Sequence, residues 1–127
     1  EKLRLWLEEF NIKVIIEPGR FIAAPGVFLH AQVISIDKNT LTVNCSVYNA
    51  AMDTFIANVR LEVEGELEKG EAYTIKGCTP DSVDIFRYRV FLENPKIGET
   101  LIFKNAGAYN FHSDFCFLPK VETEIVA

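Results

Sequence analysis

Glu17-Pro18-Gly19-Arg20 follows the apolar triplet Val14-Ile15-Ile16 and precedes a strand-like run that begins at Val27. The β-branched triplet reads as a short buried strand, so the loop after it opens at a strand's carboxyl end, where ligands of α/β folds collect. A glycine beside an arginine lets backbone N–H groups approach an anion while the guanidinium offers a two-pronged charged donor. The stretch therefore fits a phosphate-bearing ligand. The plainer alternative is a proline-glycine turn with an exposed ion pair.

On the amino-terminal side, Leu3, Trp6, Leu7 and Phe10 recur at helical spacing before Asn11, which predicts one amphipathic helix. Its apolar stripe needs a partner, so the helix is expected to pack on the rest of the chain, self-associate or fray. On the carboxy-terminal side the pattern turns to β. Candidate strands are Val27 to Ile36, Leu41 to Tyr48, Phe55 to Val63, Glu71 to Lys76, Phe86 to Leu92, Thr100 to Lys104 and Glu122 to Val126. Pro25-Gly26, Asp37-Lys38-Asn39, Lys69-Gly70, Asn94-Pro95-Lys96 and Ile97-Gly98 supply turn chemistry between them, at intervals typical of a small barrel. The fold class expected is mainly β.

Two further stretches combine glycines with charged or hydroxyl groups: Gly77-Cys78-Thr79-Pro80-Asp81-Ser82-Val83-Asp84 and Asn105-Ala106-Gly107-Ala108-Tyr109. Together with Glu17 to Arg20, and in this order, they resemble the fold-type III pyridoxal-phosphate decarboxylases that act on ornithine, lysine, arginine and diaminopimelate. The resemblance runs over nearly the whole chain. It implies a Greek-key-like carboxy-terminal β-barrel domain at 25–127, of the alanine racemase/ornithine decarboxylase type. Residues 1–24 would be the last helix, strand and phosphate loop of a preceding (β/α)8 barrel.

The same resemblance implies roles for single residues. Glu17 would pair with the pyridine nitrogen of pyridoxal 5'-phosphate, and Gly19, Arg20 and Tyr109 would hold the phosphate. Asp81 would meet the distal group of an amino-acid substrate from across a homodimer interface, and Asp84 would line the substrate loop and support it. The Phe115 region would lie in that interface. Two departures stand out. Pro80 occupies the position of the family's catalytic cysteine and has neither a thiol nor a backbone donor. Cys78 lies two residues earlier, either as a candidate proton-returning group or as a small apolar residue. In Val43-Asn44-Cys45-Ser46-Val47-Tyr48, Cys45 replaces an aspartate that would meet a basic side chain, which leaves room for a different or larger distal group.

A chain of 127 residues suffices for one core but not for a barrel of ~250 residues and a second domain. None of its lysines matches the family's cofactor-bearing lysine. The expectation is a carboxy-terminal fragment or separately made domain, inactive by itself. A non-catalytic, protein-binding homologue is the alternative, and an alanine-racemase-like enzyme ranks after it. Pro80 favours the protein-binding reading, and Glu17, Arg20 and Tyr109 oppose it, because a pure regulator needs no phosphate-binding arginine.

Composition narrows the remaining classes. Apolar residues make up 49% and charged residues 24%, near globular averages, and no apolar run approaches the ~20 residues of a membrane span. A net charge of −5, with the basic residues scattered, argues against nucleic acid. Cys45, Cys78 and Cys116 show no C-x-x-C spacing, so neither a disulfide framework nor a metal site is expected. They read as reduced thiols of a cytoplasmic protein. His30 and His112 lack partners at metal spacing, and His112 lies just beyond the Gly-Ala-Tyr stretch.

Overall fold

Leu29, Ala31 and Val33 point inward from one strand while His30 and Gln32 point out, and this alternation places the longest strand in the middle of the sheet. The computed structural model describes residues 1–110 and 117–126. It contains six strands: β1 (Leu29–Asp37), β2 (Thr40–Val43), β3 (Glu62–Val63), β4 (Ala72–Lys76), β5 (Ile85–Phe91) and β6 (Thr100–Lys104). Their order is β3-β6-β1-β2-β4-β5, and every pairing is antiparallel except β2 with β4. The expected mainly β fold is present as a nearly closed six-stranded barrel.

The barrel's interior is filled by Val33, Leu41, Val43, Ile75, Phe86, Val90 and Phe103, each at most 1% exposed. Burying one such side chain stabilises the fold by about 1.5–3 kcal/mol. Phe86 and Phe103 meet at a ring-centroid distance of 5.1 Å, joining β5 to β6 across the interior.

The gap between the edge strands β3 and β5 is bridged by a buried arginine. Arg87 Nη1 donates to Leu61 O (2.6 Å) and Glu66 Oε2 (2.9 Å), and Nη2 donates to Glu66 Oε1 (2.6 Å) and Arg89 O (3.2 Å). Leu67 N also donates to Phe91 O at 2.9 Å. These bonds satisfy edge groups that would otherwise invite pairing with another chain. Glu66 is held below the usual carboxylate range, first by its hydrogen bond from Arg87 and further by the Arg60 guanidinium.

Four α-helices and a 3-10 turn (Ala24–Gly26) complete the described chain, the α-helices being α1 (Lys2–Glu9), α2 (Arg20–Ala23), α3 (Val47–Ala50) and α4 (Met52–Ile56). The amino-terminal helix agrees with its spacing, but none of its residues is buried. Val14, Ile15 and Ile16 do not form a strand. They are 49%, 79% and 76% exposed, because among the described residues no strand lies beside them to complete a ladder.

Two further expectations give way in the segment that crosses from β2 to β4. The strand expected over Leu41 to Tyr48 ends at Val43, because Ser46 starts α3. Its hydroxyl accepts from Tyr48 N, and its own N–H donates to Asn49 Oδ1. Most of the strand expected over Phe55 to Val63 is replaced by α4 and a loop, leaving only β3. The start of α4 is capped from afar, with Met52 N donating to Asn110 O and Asp53 N to Asn110 Oδ1. Glu122 to Val126 carries no strand.

Candidate functional site

Arg20 is the first residue of α2, which starts at Gly19: Ile22 N and Ala23 N both donate to Gly19 O. The Gly-Ala-Tyr stretch is fastened to this helix through backbone bonds. Gly107 N donates to Ala24 O and Ala106 N to Val27 O. No side chain fits at Gly107, because a Cβ there would overlap the Ala23 carbonyl oxygen. The result brings Arg20 and Tyr109 together, with the guanidinium carbon 5.9 Å from the ring centroid. Gly19, Arg20 and Tyr109 thus form one cluster.

Arg20 has a second partner that its motif does not announce. Its Nη2 lies 2.5 Å from Asp53 Oδ2, and the Asp53 side chain is 10% exposed. Arg20 Nη1 is buried and has no hydrogen-bond partner. An arginine held by one prong with the other unfilled suits a phosphate oxygen, so the residues present fit a phosphate-bearing cofactor. Tyr109 is 73% exposed, which leaves its hydroxyl within reach of a ligand. Glu17 is exposed and stands outside this cluster's contacts.

The second cluster is the turn between β4 and β5. Asp84 is fully buried, and its carboxylate is fully engaged. Val47 N donates to Oδ1 at 2.9 Å, while Thr79 N and Thr79 Oγ1 donate to Oδ2 at 3.1 and 2.7 Å. Its place is beneath the loop, as a support tying the loop to α3. A Cβ at Gly77 would collide with this carboxylate, which explains the glycine at the start of the stretch.

Asp81 lies on the outside of the same turn. Tyr48 Oη donates to its Oδ2 at 2.7 Å and Val83 N to its Oδ1 at 3.1 Å. The Tyr48 hydrogen bond, followed by that from Val83, holds the Asp81 carboxyl below its usual range. It is therefore a carboxylate at neutral pH, suited to an ammonium or guanidinium partner.

Cys78 is exposed and its backbone N–H donates to Cys45 O at 3.0 Å. Partial burial and the nearby Asp84 carboxylate raise its thiol, while deep burial pushes Cys45 up to about 12. Both are protonated at neutral pH, so Cys78 is better suited to donating a proton than to nucleophilic attack.

The two clusters are joined through α3 and α4, which pack on one another. Tyr48, which holds Asp81, meets Phe55 edge-on at 5.4 Å, and Phe55 lies two residues after Asp53. Tyr48, Asp53 and Asn110 are the contributors that sequence motifs did not single out. His30 is exposed on β1, whereas His112, Phe111, Phe115 and Cys116 lie outside the described residues. A groove of about 1060 Å³ beside β5 is lined by none of the candidate site residues. Among the described residues no helix is long and apolar enough to cross a membrane.

Neither a protein-family model nor a curated protein matches this chain. Solved structures do. A lysine/ornithine decarboxylase from Vibrio vulnificus complexed with cadaverine shares 24% identity at a TM-score of 0.72, with 93% of this chain and 35% of that one covered. The arginine decarboxylase of Paramecium bursaria Chlorella virus bound to agmatine gives 27%, a TM-score of 0.61, and coverage of 74% and 28%. A carboxynorspermidine decarboxylase from Campylobacter jejuni complexed with norspermidine gives 21%, 0.68, and coverage of 88% and 36%. The resemblance to decarboxylases is thereby borne out, and the barrel matches the carboxy-terminal β-barrel domain of these neighbours. The chain spans about a third of their length.

Proposed function

We propose that this chain is the carboxy-terminal part of a pyridoxal-phosphate-dependent decarboxylase acting on a basic amino acid or a related α-amino acid. In this reading residues 1–24 are the end of the cofactor-binding barrel and residues 25–127 are the β-barrel domain. The observation that carries it is the meeting of Arg20 with Tyr109, two groups from separate stretches that together suit a phosphate.

Pyridoxal phosphate, when bound, supplies a ring that accepts the electron pair left on the α-carbon as carbon dioxide departs. Arg20 Nη1, the Gly19 region and the Tyr109 hydroxyl would hold the phosphate, and Glu17 would pair with the pyridine nitrogen. Asp81, kept ionised by Tyr48, binds the distal cationic group of the substrate from across a homodimer interface. Asp84 fixes that loop. Cys78 is the candidate for returning a proton to the α-carbon, since its thiol is protonated at neutral pH and lies in the Asp81 turn. Cys45, neutral and buried, contributes no second carboxylate, which favours a substrate other than a simple diamine precursor. The enzyme is cytoplasmic, and the 127 residues alone are inactive for want of the cofactor-bearing lysine.

The test uses the native polypeptide that carries these residues, supplied with pyridoxal phosphate and offered lysine, ornithine, arginine and diaminopimelate in turn. Release of carbon dioxide from one of them, with a borohydride-stable mass increment on the chain, is the expected result. No release and no increment would overturn the reading.

A further inference from the structure

The carboxylate that grips Arg20 comes from an element that no motif marks. Asp53 lies in the first turn of α4, and Asn110 fixes its backbone by accepting from Asp53 N at 3.2 Å. Asn110 is itself fully buried and donates from Nδ2 to Gly107 O at 3.0 Å. Gly107 in turn abuts Ala23 of α2. A closed circuit therefore runs from Arg20 through α2, Gly107, Asn110 and Asp53 back to Arg20. Among the described residues, two of the three buried side-chain polar atoms without a hydrogen-bond partner belong to this ion pair: Arg20 Nη1 and Asp53 Oδ2.

We infer that Asp53 is a positioning residue: by holding Nη2 it presents Nη1 of Arg20 to the phosphate of the ligand, an inference that rests on the function proposed above. An unpaired arginine on a 40% exposed side chain samples many rotamers and loses them on binding. Pairing with Asp53 removes that freedom beforehand, and geometry is what the carboxylate adds, because its charge opposes an incoming anion. The circuit through Asn110 makes the Asp53 backbone as fixed as the loop it serves.

Calorimetric titration of the native polypeptide with pyridoxal phosphate, and separately with pyridoxal, which lacks the phosphate, decides the matter. Asp53→Ala is expected to weaken pyridoxal phosphate about tenfold and to leave pyridoxal unchanged. Asp53→Asn, which keeps an oxygen facing Nη2, is expected to recover affinity to within about threefold of wild type. Should Asp53→Ala lose its circular dichroism spectrum, Asp53→Ser, whose short side chain does not reach Nη2, takes its place, with the same loss of affinity expected. Unchanged affinity in a folded Asp53→Ala, or tighter binding in either variant, overturns it and makes Asp53 a competitor of the phosphate or a bystander. A wild-type protein that binds both ligands equally sinks phosphate anchoring and Asp53's role together. A wild type that discriminates and a folded Asp53→Ala that discriminates equally removes Asp53's role alone.

Discussion

Gly107 lies directly against the carbonyl of Ala23, with no room for a Cβ between them. This contact lets two stretches distant in sequence share backbone hydrogen bonds at Ala24 and Val27. Gly107→Ala is expected to cost about 2–4 kcal/mol, because rigid backbone on both sides must shift. A urea unfolding midpoint checks it, with Gly26→Ala, where nothing lies within reach of the new methyl group, as a comparison expected to change little.

Asp84→Ala strips the acceptor from Val47 N and Thr79 N, whose partner is otherwise fully buried. A loss of about 2–4 kcal/mol in chemical denaturation is expected, from leaving buried donors unsatisfied. A change under about 0.5 kcal/mol would show that the β4–β5 turn does not depend on this carboxylate.

The Glu66–Arg87 bridge carries a pH dependence whose sign follows from the shift. The carboxyl of Glu66 titrates below its ordinary 4.5 in the folded chain. Its contribution is therefore present above the unfolded value and is lost as pH falls through the lower, folded one. Thermal melts are expected to fall as pH drops below about 4.5 in the wild-type chain, and Glu66→Gln should flatten that part of the decline.

Thiol labelling separates Cys45 from Cys78. Iodoacetamide followed by peptide mapping should modify Cys78 in the folded chain, more slowly at pH 7.5 than a simple unperturbed thiol and faster as pH rises. Cys45, buried and pushed up to about 12, should react only after unfolding. Labelling of Cys45 at the rate of Cys78 in the native chain would contradict both placements.

Leu3, Leu5, Trp6 and Phe10 are between 52% and 68% exposed on and beside α1. Sedimentation of the 127-residue chain should show concentration-dependent association, reduced in Trp6→Glu/Phe10→Glu. Equal behaviour of the variant and wild type would remove this surface as the cause.

Much of the barrel was legible because its signals are local. Inward alternation of Leu29, Ala31 and Val33, and turn residues such as Lys38, Asn94 and Gly98 with positive φ, mark β1 and the hairpins directly. The crossing segment was not legible, because α4 is started by Asn110, a cap supplied from far along the chain. Val14 to Ile16 depart for the converse reason: their composition suits a strand, but among the described residues no strand lies beside them to complete the ladder. In the site, Arg20 and Tyr109 carried motif signals, while Asp53 offers only an ordinary acidic residue in a first helical turn and is recognisable only once folded.

The one parallel pairing, β2 with β4, has a consequence for the order of folding. A parallel pair needs a crossover, and this one, residues 44–71, contains Tyr48, Asp53 and Phe55. Arg20, Asp53 and Tyr109 can meet only after distant parts of the chain have closed large loops, so their cluster belongs to the high-contact-order contacts, whose loop-closure entropy must be met first. A ligand seated there would recognise only the finished molecule and raise its melting temperature with the logarithm of its concentration above the dissociation constant. Cofactor binding by this chain would then double as a check on its own maturation.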